Sequence, residues 1–73
     1  MILREFIDVL NHWQYCNRCD LMMEKAKGLY VTAYTGKIAH IPKYLRDKEV
    51  MQIHAFVREY EKVSLIIWKI KVR

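Results

Sequence analysis

Four residues of this chain have the types and spacing for metal chemistry. Cys16 and Cys19 form a C-x-x-C within HWQYCNRCD, and His12 precedes Cys16 by four positions. Thiolates and imidazoles are the usual ligands of tetrahedral zinc, and a two-residue spacing lets a tight knuckle aim both sulfurs at one point. A closed structural site needs a fourth ligand. His40 supplies it if the second strand of a hairpin returns beside the knuckle, with Cys16 facing about Tyr34. His54 and carboxylates such as Asp20 are the other donors available. Against this stands a plainer account. Free cysteines are often simply buried, and a histidine at a helix C-terminus suits the helix dipole. A redox role is disfavoured because no helix begins at the C-x-x-C.

The rest of the chain must position these residues, and its size limits how. Seventy-three residues make a single domain, residues 1–73. A chain this small often needs a staple such as a metal, and a zinc ion would be one. Hydrophobic residues make up 53% of the chain, including two Trp, five Tyr and two Phe, so disorder is excluded. MILREFIDVL carries Arg4, Glu5 and Asp8 inside its apolar pattern and is no signal peptide. VSLIIW is too short to span a bilayer. The expected setting is the cytoplasm, where a C-x-x-C is more often metal-binding than a structural disulfide. The net charge of +5 is scattered along the chain, with no basic run marking a nucleic-acid tail.

Periodicity gives the elements. Ile2, Leu3, Phe6, Ile7, Leu10 and Trp13 recur at helical steps, with Val9 widening the stripe, and predict a helix over 2–13. YCNRCD reads as a first strand, with a turn near 24–28. GLYVTAYTGKI, MQIHAFV and VSLIIWKIKVR alternate as strands do. Pro42 suits the first turn of a short helix at 42–47. The expected fold is α+β: a small domain in the order α-β-β-α-β-β. About four antiparallel strands form a meander with the N-terminal helix on one face, stapled by zinc.

The alternation divides the sheet into two faces. Leu29, Val31, Ile53, Ala55, Trp68 and Ile70 are expected under the helix. Tyr30, Tyr34, His54, Phe56, Lys69 and Lys71 are then expected on the open face as the binding residues. Aromatic residues beside basic ones suit a protein interface or stacking with single-stranded nucleic acid; singly, each is an ordinary strand or edge residue. No enzyme is expected. Gly28 and Gly36 read as hairpin residues rather than a phosphate loop, and Ser64 has no base to activate it. No small-molecule substrate is implied, although a pocket for a small signalling nucleotide would be a further possibility.

The helix MILREFIDVL, the hairpin and the segment IPKYLRDKEVMQIHAF resemble small orphan proteins of phages and prophages in Gram-positive bacteria. In those, an I-P-x-x-L-x-D-x-x-V stretch joins two hairpins; here Ile41, Pro42, Leu45 or Tyr44, Asp47 and Val50 match it with approximate spacing. Some such proteins are anti-CRISPR inhibitors, and the C-x-x-C with flanking histidines is similar to a zinc-containing inhibitor of Cas9. The resemblance implies a non-catalytic inhibitor in the host bacterial cytoplasm. Its partner would be a defence effector, Cas9 or a Cas9–guide RNA complex. A zinc-stapled nucleic-acid-binding protein is the alternative reading.

Overall fold

The computed structural model describes residues 1–10 and 18–73, without the side chains of Tyr60 and Val63. Helix α1 spans Leu3–Leu10, followed by β1 (Arg18–Ala26), β2 (Leu29–Lys37), a 3-10 turn (Ile38–His40), α2 (Lys43–Arg46), β3 (Val50–Tyr60) and β4 (Val63–Val72). The strands form one sheet in the order β2-β1-β4-β3. The expected α+β class and element order are therefore present.

The pairing is mixed, not a meander. β1–β2 and β3–β4 are antiparallel hairpins, but the two hairpins join through a parallel β1–β4 ladder from Arg18–Ile67 to Met23–Val72. The connection after β2 explains this. β2 ends at Lys37 opposite Arg18, whereas β3 begins at Val50 opposite Val72, at the other end of the ladder. The intervening chain must travel the length of the sheet, as a parallel crossover of about a dozen residues does. It is built for that path. Ile38, Ile41 and Leu45 are buried in the core, and Arg46 donates from Nε to the Ile41 carbonyl at 2.9 Å and from Nη2 to the Ala39 carbonyl at 3.2 Å. Pro42 stands at the N-cap of α2, where its missing N–H costs nothing.

One face of the sheet carries the core. Leu3, Ile7 and Leu10 of α1 pack with Cys19, Leu21, Ile70 and Val72, and the Phe6 ring meets Trp68 edge-on with centroids 5.3 Å apart. The spacing of these helical residues puts them on one stripe. Val9 lies outside the stripe, 58% exposed, contrary to its expected place. The N-terminus is tied to the start of β3: Leu3 N–H donates to the Lys48 carbonyl at 2.9 Å and Val50 N–H to the Met1 carbonyl at 2.8 Å. Outside these, Arg4 and Asp47 form an exposed ion pair.

Candidate binding face

Laterally paired residues project to the same side of a sheet, so the ladders assign every side chain to a face. The inner face, toward α1, takes Cys19, Leu21 and Met23 of β1 with their partners Trp68, Ile70 and Val72. Ile53 and Ala55 sit beside Ile70 and Trp68. The outer face takes Arg18, Asp20, Met22 and Glu24 of β1, with Ile67, Lys69 and Lys71 of β4. Phe56, His54 and Gln52 extend those rows across β3. No described element covers this outer face.

Five of the six residues expected on the open face are there: Tyr30, His54, Phe56, Lys69 and Lys71. The sixth, Tyr34, is on the other side. The cause is an irregularity in β2. Leu21 pairs with Tyr34 but Met22 pairs with Thr32, so one extra residue, Ala33, sits between them. Such a bulge reverses the facing of all that follows it. Tyr34 packs against the core cluster, its hydroxyl donates to the Lys37 carbonyl at 2.6 Å, and its ring lies over Gly36. A Cβ on Gly36 would come 3.0 Å from the Tyr34 hydroxyl oxygen, and φ there is +145°. Gly36 is therefore a mid-strand clearance and not a turn residue; the turn is at Gly28, φ +78°.

The open face has an order that strand alternation alone does not give. Lys69 Nζ lies 4.8 Å from the centre of the Phe56 ring, and Lys71 Nζ lies 4.9 Å from the centre of the Tyr30 ring. His54 tilts against Phe56 with centroids 4.6 Å apart. The Tyr30 hydroxyl is shifted toward higher pKa, first by its hydrogen bond with the Glu24 carboxylate across the ladder. A cation over a ring face is attracted by the ring quadrupole. These pairs place two ammonium groups beside aromatic rings, with Lys69 exposed and Lys71 half-buried.

Two hollows lie on either side of the Phe56–Lys69 pair, which lines both. The larger, about 560 Å³, has Ile67 and Leu65 with Phe56 as its apolar part, and Arg18 and Arg58 among its polar lining. The smaller, about 220 Å³, is bounded by Met22, Gln52, His54 and Lys71. Arg18, Met22, Gln52, Arg58, Leu65 and Ile67 are not legible as site residues in the sequence. The first strand is expected there at YCNRCD, with a turn near 24–28, in a meander that does not pair the first strand with the last. Arg18 and Met22 therefore have no register against β4 in that reading.

The proposed metal ligands fare differently. His12 and Cys16 lie outside the described residues. Cys19 is on the inner face, 1% exposed within the apolar core, with its thiol pushed up to about 12 by burial and then by neighbouring Asp20. His40 is exposed, in the turn after β2. The hairpin turn falls at 27–28, within the expected 24–28, but Tyr34 faces Leu21 and not Cys16, and Cys19 faces Gly36, four residues before His40. His54 belongs to the outer face, away from Cys19. Among the described residues, no three His, Cys, Asp or Glu side chains gather as a metal site. Trp68 Nε1, in the same row as Cys19, is buried without a hydrogen-bond partner among the described residues.

The positions behind the phage-protein resemblance have structural roles in this fold. Ile41 and Leu45 are core residues, Asp47 pairs with Arg4, and Val50 packs against the core. No family model, no curated protein and no solved structure matches this chain. No helix of the described residues is long and apolar enough to cross a membrane.

Proposed function

We propose that this chain is a non-catalytic binding module whose open sheet face takes single-stranded nucleic acid. The carrying observation is the pairing of Lys69 with Phe56 and Lys71 with Tyr30 on one uncovered face. Stacking on an aromatic ring contributes about 1–3 kcal/mol per base and tolerates any sequence. Each ring here has an ammonium beside it to meet the phosphate of the stacked nucleotide. A lysine stem is flexible, so the ammonium can slide from ring to phosphate as the base arrives. The hollows flanking Phe56 give successive bases separate seats. Arg18, Lys37, Lys69 and Lys71 outnumber Asp20 and Glu24 on this face, which supports attraction of a polyanion.

Fluorescence anisotropy with a labelled single-stranded decamer tests the reading. Binding should weaken steeply with added salt, because phosphate contacts release counterions. Phe56→Ala with Lys69→Ala should weaken it further. Absence of binding at low salt, or an affinity indifferent to both substitutions, overturns the proposal.

A second reading is a phage-encoded inhibitor of a host defence nuclease, Cas9 or its guide RNA complex, acting in the bacterial cytoplasm. The same face supports it, since exposed aromatic and basic residues also suit a protein surface or the RNA an effector holds. An inhibitor of that kind would bind the effector and ignore free oligonucleotide. A structural zinc ion on His12, Cys16, Cys19 and His40 belongs to both readings as a proposed staple. Its support is the C-x-x-C spacing and the hairpin that returns toward His40. Elemental analysis of protein purified without added metal tests it: about one zinc per chain supports the site, and metal-free folded protein removes it.

A further inference from the structure

We propose that the outer edge of β3 pairs antiparallel with the same edge of a second copy, about a two-fold axis through Ala55. β3 ends the sheet order, so past Val50, whose N–H is taken by the Met1 carbonyl, the backbone groups along one side of this strand lack a sheet partner among the described residues. Natural edge strands are usually guarded by lysine, proline or bulges. β2, at the opposite edge, has a bulge at Ala33 and carries Gly36 and Lys37. β3 has its one irregularity at Met51, and from Gln52 to Arg58 its ladder is regular and contains no Pro, Gly or Lys.

That segment, QIHAFVR, is chemically palindromic. Around Ala55 stand His54 and Phe56, both rings; then Ile53 and Val57, both branched aliphatics; then Gln52 and Arg58, both polar. An isologous contact requires residue i to meet j while j meets i, and a palindromic strand satisfies this with itself. A two-fold axis perpendicular to the sheet keeps inner face with inner face. Ile53 then pairs with Val57 of the second copy, and His54 with Phe56 of the second copy. Gln52 pairs with Arg58 of the second copy, and Ala55 with Ala55. Val57, 65% exposed, gains an apolar neighbour on the inner side. The segment has a single charge, that of Arg58, so the net +5 of the chain is not concentrated where the copies meet. The two outer faces then run together as one eight-stranded surface, with Phe56 of each copy beside the axis. The inference is independent of what that surface binds.

Sedimentation equilibrium over a concentration series, with two substitutions, tests it. The chain should dimerise as concentration rises. Val57→Lys places a charge in the pair with Ile53 and should weaken the dimer by about tenfold or more. Val57 is exposed in the single chain, so the substitution should leave the melting temperature nearly unchanged. Ala55→Cys should form a disulfide across the axis with oxidised glutathione as oxidant. Two cysteine thiols lose two protons and two electrons, and glutathione disulfide is reduced to two thiols. Lys27→Cys at the β1–β2 turn, treated likewise, should cross-link no more than the unsubstituted chain. A monomer at every concentration overturns the inference. So does a dimer whose affinity ignores Val57→Lys, or cross-linking as efficient through Lys27→Cys as through Ala55→Cys.

Discussion

Lys69 stands opposite His54 in the β3–β4 ladder, yet its ammonium reaches diagonally to the Phe56 ring, 4.8 Å from its centre. The pair forms the ridge between two hollows on the one sheet face that α1 leaves open. It costs little to lose for folding and much for binding. Phe56→Ala should leave the melting temperature within a few degrees, because Phe56 is 41% exposed. It should weaken oligonucleotide binding by about tenfold, equivalent to about 1.4 kcal/mol of stacking. Thermal denaturation beside an anisotropy titration separates the two effects; a large fall in melting temperature with unchanged affinity would reassign Phe56 to the core.

Tyr30 and Tyr34 should part company. Tyr34→Ala removes a ring packed on the core and should cost about 2–4 kcal/mol. Tyr34→Phe keeps the ring, loses only the bond to the Lys37 carbonyl, and should cost about 1 kcal/mol. Tyr30→Ala, on the outer face, should stay within about 0.5 kcal/mol. Urea unfolding of the three variants checks this. Equal losses for both alanine substitutions would place the bulge wrongly.

Gly36→Ala tests the same corner from the backbone side. The added methyl group meets the Tyr34 hydroxyl at 3.0 Å, at a φ that favours glycine. The expected loss is about 1 kcal/mol or more. A second substitution, Tyr34→Phe, should recover part of it by removing the crowded oxygen. Additive losses in the double variant, measured by the same unfolding, would show that the two residues do not touch.

How much of the fold and the binding face is legible in the sequence depends on how regular each strand is. β3 and β4 keep strict alternation through Ile53–Val57 and Ile66–Ile70, so alternation alone sets His54, Phe56, Lys69 and Lys71 on one face. It misplaces Tyr34, because a bulge at Ala33 leaves no mark in composition: LYVTAYTGK alternates on paper across the very point where the strand does not. The parallel join of the hairpins is hidden for another reason. The sequence reads Ile38 as the end of a strand and Leu45 as part of a short helix at 42–47, but the burial of Ile38, Ile41 and Leu45 along the sheet carries the chain to the far end of the ladder. Arg18 needs that parallel register to come beside Ile67, whereas Arg58 meets Leu65 within the β3–β4 hairpin.

In the metal-free fold, where Cys19 is a protonated core thiol and not a zinc ligand, it should be inert. Burial, with a lesser contribution from Asp20, raises its thiol from 9.0 to about 12, so the thiolate that reacts is scarce at neutral pH. Iodoacetamide should modify it only after denaturation. The linkage has a definite sign. The folded state holds this proton more tightly than the unfolded state, so its stabilising contribution is full below about pH 9 and is lost as pH rises toward 12. Cys19→Ala should show a shallower loss of melting temperature across that window. Rapid native alkylation at neutral pH would mean that the thiol is neither buried nor protonated.

The binding face itself is tested most directly by a residue-resolved titration. Amide nuclear magnetic resonance spectra recorded while a single-stranded decathymidylate is added report which face is touched. The expected shifts fall on Met22, His54, Phe56, Ile67, Lys69 and Lys71, together with the Phe56 ring, and spare Leu3, Ile7 and Leu45. No shifts at low salt, or shifts centred on α1 and α2, would contradict the assignment of the open sheet as the functional surface.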